Sequence, residues 1–174
     1  MTKHPTKHSK HPRHAKQSQP APDAGKARAL LQLASDVVDG VTCDCSTECC
    51  RFGVTGREPW VTRAEWELVL LEVRRQGRRL PVVEDDDDDD DDDGRCPFLD
   101  DDGKGGGRCR VYAGRPLGCR TFFCERAVQP DGRRGKLSTT TTRTLRPIAG
   151  DLAALTPQEE ARPLRSWLRS WLRS

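Results

Sequence analysis

The sequence predicts a small metal-stabilised, α-rich irregular domain with little or no sheet, a disordered N-terminal tail and a C-terminal amphipathic helix. Three observations lead there. Eight cysteines fall into two clusters: Cys43, Cys45, Cys49 and Cys50, then Cys96, Cys109, Cys119 and Cys124. Only 34% of the 174 residues are apolar, against roughly 45–50% in an ordinary globular chain. Much of the length is also low-complexity, so the core is small and needs a staple of disulfide, metal or partner.

Residues 1–23 are rich in Lys, His and Pro, a composition too polar to bury a core, and read as a disordered basic tail. His4, His8, His11 and His14 all lie in it. They read as solvated basic groups before they read as a chelating tract. No apolar h-region follows the basic start, so it does not read as a secretory signal. No run of 18 apolar residues suggests a transmembrane helix. The expected location is cytoplasmic, where thiols stay reduced and clustered cysteines bind metal more often than they pair as disulfides.

A cysteine-cluster domain is expected over residues 24–135. Ala27, Leu30, Leu31, Ala34, Val37 and Val38 recur at helical spacing, which predicts a helix over Ala24–Val38 ended by Gly40. The first cysteine cluster then sits in a loop. Thr62 and Glu65 form a capping box. They open a second helix from Arg63 to about Gln76, with Trp66, Val69, Leu70 and Val73 on one face and Gly77 as its stop. Residues 84–93, Glu84 followed by nine aspartates, form an acidic linker that repels itself and stays solvated. Asp100–Asp102 and the glycines after them read as a flexible loop between Cys96 and Cys109.

Residues 136–174 form a separate Thr-rich segment and amphipathic helix. Leu137–Leu145 suits a strand or an extended tail. A second capping box, Thr156 to Glu159 with Pro157 at the first helical position, predicts a helix that Pro163 interrupts. The repeat L-R-S-W-L-R-S-W-L-R-S then lines up Leu164, Trp167, Leu168, Trp171 and Leu172 on one helical stripe. Such a stripe either makes weak contact with a membrane surface or packs on the domain or a partner.

The formal net charge of +3 conceals segregation, with basic ends and an acidic middle. The basic tail has no interleaved aromatics, so nucleic-acid contact would be nonspecific and salt-sensitive. A protein partner recruited through the basic ends fits the same pattern.

The cysteines carry the chemistry. Thiolates are soft ligands suited to zinc and to iron–sulfur clusters. Eight of them allow two four-ligand sites, or one site with spare thiols. The first cluster is spaced C-x-C, three residues, C-C, unlike the C-x2-C of a zinc knuckle. Adjacent cysteines are expected to point apart and to serve two sites, or two corners of something larger. That spacing suits an iron–sulfur cluster or an unusual zinc site. Arg115 and Arg120 are placed to bind carbonyls or to offset thiolate charge. Tyr112, Phe98, Phe122 and Phe123 are placed to screen the site or simply to pack. No histidine lies within the folded part, and no catalytic residue stands out.

The segments Cys49-Cys50-Arg51, Thr62 to Glu65, Cys96-Pro97-Phe98-Leu99, Cys109-Arg110-Val111-Tyr112, Arg115-Pro116, Cys119-Arg120 and Cys124 together resemble the YkgJ-type cysteine-cluster family, zinc- or iron-chelating domains with a C-x2-C-x2-C-C signature. The resemblance covers about Val41 to Arg126. One departure stands out: the family pattern puts its second cysteine at position 46, which is Ser46 here, with Cys45 beside it. The resemblance implies a zinc- or iron(-sulfur)-binding protein, redox-active or accessory to a modifying enzyme, with all eight cysteines as metal ligands. The alternative is a binding module with purely structural zinc. Either way the metal is expected to replace missing apolar core, so that losing Cys119 or Cys124 unfolds the domain.

Overall fold

The computed structural model describes residues 22–42, 47–81, 94–104, 106–122 and 126–173. Residues 1–21 of the expected tail, the aspartate run, Cys43, Cys45, Phe123 and Cys124 lie outside the described residues. Six helices run in order: α1 (Ala24–Val37), α2 (Phe52–Thr55), α3 (Arg63–Arg75), α4 (Leu117–Thr121), α5 (Thr139–Ala154) and α6 (Leu164–Leu172). Four short strands, β1 (Trp60–Val61), β2 (Leu99–Asp101), β3 (Gly107–Cys109) and β4 (Arg162–Pro163), pair as two antiparallel ribbons, β1 with β4 and β2 with β3. The fold is α-rich, as expected, with these two small sheets added.

Helix α3 is the spine. Thr62 and Glu65 close the predicted capping box, and Gly77 ends the helix region with φ +63°, a left-handed geometry natural to glycine. One face of α3 buries Trp66, Val69, Leu70 and Val73 against Phe52, Val61, Phe98, Leu99, Val111 and the α6 residues Leu164, Trp167 and Leu168. The rings of Trp66 and Trp167 stack at 6.1 Å, and Trp167 Nε1 donates to the Val61 carbonyl at 2.8 Å. The other face of α3 gives Ala64 and Leu68 to a second core with Ala27, Leu31 and Ala34 of α1 and Leu145, Ile148 and Leu152 of α5. Helix α1 starts on Asp23, whose side chain accepts from the Lys26 N–H, and Gly40 turns the chain beyond it with φ +78°.

Three sequence expectations are corrected. The Thr-rich Leu137–Leu145 stretch is not a strand. It opens α5, with the Ser138 side chain accepting from the Thr141 N–H as N-cap. The spacing Leu145, Ile148, Leu152 then packs that helix on α1. No helix starts at Thr156, whose hydroxyl is buried without a partner, while its carbonyl accepts from the Glu159 N–H in a turn. Pro163 disfavours helical backbone in the residue before it, leaving too few residues for a helix from Pro157. The Asp/Gly stretch after Leu99 is a β2–β3 hairpin. Asp101 Oδ1 accepts from the Gly103 N–H, and Asp102 Oδ1 from the Lys104 and Gly106 N–H groups. These side chains give the tip the Asx-turn geometry that composition alone reads as floppy. The α6 stripe, left open in sequence, is turned into the first core rather than toward a membrane surface. Among the described residues no helix is long and apolar enough to cross a membrane.

Candidate metal centre

The described cysteines are set by several local devices. Cys49 and Cys50 end a 3₁₀ turn over Thr47–Cys50. The Cys50 carbonyl accepts from the Cys96 N–H at 2.6 Å, and the Gly94 carbonyl from the Phe52 N–H at 2.9 Å, so the two cysteine segments run side by side. Gly94 is needed there: at φ +65°, a Cβ on it would sit 2.3 Å from the Gly53 nitrogen. Cys109 ends β3 opposite Leu99. Cys119 lies in the middle of α4.

Two anchors hold these pieces. Arg51 donates to Asp101 at 2.9 Å, and Arg95 approaches the same carboxylate at 3.5 Å, tying the 3₁₀ turn to the hairpin. Glu65, 2% exposed, accepts from the Thr62 N–H (2.8 Å) and hydroxyl (2.7 Å), and from the Leu117 N–H at 2.7 Å. One buried carboxylate thus caps α3 and pins the first residue of α4, two positions before Cys119. Sequence reasoning found the cap and missed the pin, because nothing in the pattern couples residues 65 and 117. Arg120 takes the carbonyl-binding role left open for it. It donates to the Arg115 and Ala113 carbonyls and to Ser35 Oγ of α1.

The five thiols lie within electrostatic reach of one another. Burial pushes the pKa of the Cys119 thiol well up, with Cys96 and Cys109 adding to it. Burial likewise pushes Cys96 up to about 12, with a further push from Cys109, and raises Cys109. The Cys49 and Cys50 sulfurs are 3.9 Å apart. A shared hydrogen bond lowers Cys49 to about 7 and drives Cys50 upward, so within this pair Cys49 gives up its proton more readily. The expectation that adjacent cysteines point apart is therefore corrected: the tight 3₁₀ turn brings both sulfurs to one side. Their spacing matches the edge of a tetrahedral zinc–thiolate site, about 3.8 Å for Zn–S bonds of about 2.3 Å.

Arg115 supplies the positive charge beside these thiols, lowering Cys49, Cys109 and Cys119 in proton affinity after the larger effects already given. Its guanidinium lies 3.7 Å from the Tyr112 ring centroid, and its Nε is buried without a hydrogen-bond partner. Tyr112, expected to screen the site or pack, is 63% exposed and serves as the platform for this cation. Phe98 is buried in the first core, and Phe122 is half-buried. The thiols are neighbours without yet forming a cage: among the described residues no three His, Cys, Asp or Glu side chains are gathered closely enough to hold an ion. Charge effects reach further than coordination bonds, which is why the electrostatic grouping is the wider of the two.

The donor set fits a soft metal: sulfur only, partly buried, with an arginine to balance thiolate charge. Residues 42–141 match the model of the family described as "CxxCxxCC: Putative zinc- or iron-chelating domain", more than half of the chain. No curated protein matches, and no solved structure matches.

Proposed function

Because the chain belongs to the CxxCxxCC family of zinc- or iron-chelating domains, we propose that it holds zinc or iron through its cysteine thiolates. The ligands are drawn from Cys49, Cys50, Cys96, Cys109 and Cys119 together with Cys43, Cys45 and Cys124. The observation that carries this reading is the 3.9 Å approach of the Cys49 and Cys50 sulfurs beside three more thiols from the hairpin and α4. Two sulfurs that close suit one ion shared between them better than two corners of a larger cluster. The bound metal would supply strong, soft coordination bonds that tie the 3₁₀ turn, the hairpin and α4 together. Arg115 offsets the charge of the thiolates, and Glu65 holds the first residue of α4, two positions before Cys119.

The reading is a metal site whose role is structural; an iron–sulfur centre with redox chemistry, or service to a modifying enzyme, is the second reading. Anaerobic purification followed by zinc, iron and acid-labile sulfide measurement separates them. Metal bound without sulfide, and lost in Cys96→Ser and Cys109→Ser, supports the first. Stoichiometric sulfide with visible absorption supports the second. A folded, metal-free chain in which all eight thiols titrate in the absence of reductant would sink both.

A further inference from the structure

On the face of α4 that leads away from Cys119, an open groove of about 430 Å³ separates α4 from the first half of α5. Its floor is apolar. Leu145 is buried, and Leu117 and Leu137 are half-buried against the second core. Phe122 completes the floor, with the Arg57 guanidinium 5.6 Å from its ring centroid. The rim is cationic: Arg57, Lys136 and Arg146 all line the groove, and all three are exposed. No acidic residue is among the lining residues. None of the three cations forms an ion pair with a described residue.

This combination is not the chemistry of the thiol cluster, and nothing in the metal reading uses it. Three like charges around one concavity repel one another, and a basic surface patch does not need an apolar floor. Both features are satisfied by one kind of occupant. An anionic head neutralises the rim, and an apolar body covers Leu117, Phe122, Leu137 and Leu145. The volume lies within the range of small-molecule sites, about 300–1,000 Å³. We propose that this groove binds an amphipathic organic anion, an acyl or aryl chain carrying a carboxylate or phosphate head. Charge complementarity selects the head, and the concave apolar floor favours a small molecule over the extended backbone of a nucleic acid.

The test is calorimetric titration of the full, metal-loaded chain with octanoate, octyl phosphate, octanol, inorganic phosphate and a single-stranded oligonucleotide. Octanoate or octyl phosphate is expected to bind once per chain and at least about tenfold more tightly than octanol, because only they pair charge with the rim. The stronger of the two identifies the head group. Arg146→Glu and Ala149→Asp, both at exposed positions on α5, should each weaken binding by about tenfold or more with unchanged circular dichroism and metal content. Octanol binding as tightly as octanoate would overturn the proposal. So would full competition by inorganic phosphate or the oligonucleotide, which would mark a plain basic surface, or wild-type affinity in both variants.

Discussion

Replacing Glu65 with glutamine keeps the shape of the side chain and removes its charge. In the wild-type protein its two oxygens accept three hydrogen bonds from N–H and O–H donors, two from Thr62 and one from Leu117, at a position 2% exposed. Glutamine has one oxygen and an NH₂ group, so one set of donors must face another donor. A hydrogen bond to a charged group contributes about 1.5–3 kcal/mol net, and a buried donor left unmet costs about 1–3 kcal/mol. The expected loss for Glu65→Gln is therefore about 3 kcal/mol, a large part of the roughly 5–15 kcal/mol that holds a domain. Thr62→Ala removes only the hydroxyl half of the cap and should cost about 1 kcal/mol. Glu67→Gln, which loosens a surface pair with Arg63, should cost less than about 1 kcal/mol. Urea denaturation of the metal-loaded chain, read by tryptophan fluorescence, measures all three. A loss for Glu65→Gln no larger than that for Thr62→Ala would refute the claim that this carboxylate also holds α4.

Gly94→Ala forces a Cβ to within 2.3 Å of the Gly53 backbone nitrogen at positive φ; thermal denaturation should show a loss of about 2 kcal/mol or more, and metal content should fall. Trp167→Ala empties the stack on Trp66 and strands the Val61 carbonyl. It should cost about 3–5 kcal/mol in chemical denaturation. In the reduced, metal-free chain, an unfolded cysteine ionises near 9.0, while folded Cys96 keeps its proton to about 12. Folding therefore favours the protonated form, and this contribution is fully present below about pH 9 and lost as pH climbs to 12. Denaturation midpoints should be flat with respect to this group below pH 9 and fall above it, with a shallower fall in Cys96→Ala. Hydrogen exchange after chelation should lose protection in the β2–β3 hairpin while α1 and α5 keep theirs; equal loss in all three would refute a local role for the metal.

Local chemistry made parts of this fold readable. The Thr62–Glu65 box, the α3 apolar face and Gly77 are all consequences of residues within one helix, and the structure has them where the pattern puts them. The α6 stripe was equally plain, but its partner was not: Trp167 meets Trp66 and Val61 about a hundred positions earlier, and no periodicity encodes that. Helix α5 was misread for a different reason. Its apolar spacing, Leu145, Ile148 and Leu152, starts where the threonines end. The threonines themselves favour extended backbone, and Pro147 lies inside the helix where proline is normally a stop signal. In the site, residue type announced the thiols and left their spacing open. The 3₁₀ turn that brings Cys49 and Cys50 together is set by the backbone, and the hairpin depends on aspartate side chains that composition reads as linker.

The two cores change what a metal would have to do. From composition alone, a chain this poor in apolar residues reads as one that needs metal in place of a core. The apolar residues it has are concentrated on both faces of α3, and among the described residues the face toward α1 and α5 contains no cysteine. The other face does: Cys96 is buried in it, with Cys50 and Cys109 packed at its edge. Coordination there would act on segments that carry little regular structure, namely a four-residue 3₁₀ turn, two three-residue strands and a five-residue helix. Such segments have few backbone hydrogen bonds of their own to resist opening. A metal bound among them, as proposed, would order the cysteine side of α3, while the α1–α3–α5 side stands on apolar packing. The groove between α4 and α5 lies where these two sides meet. Helix α4, with Cys119 on it, touches both: it packs on α1 of one side and on β1 of the other.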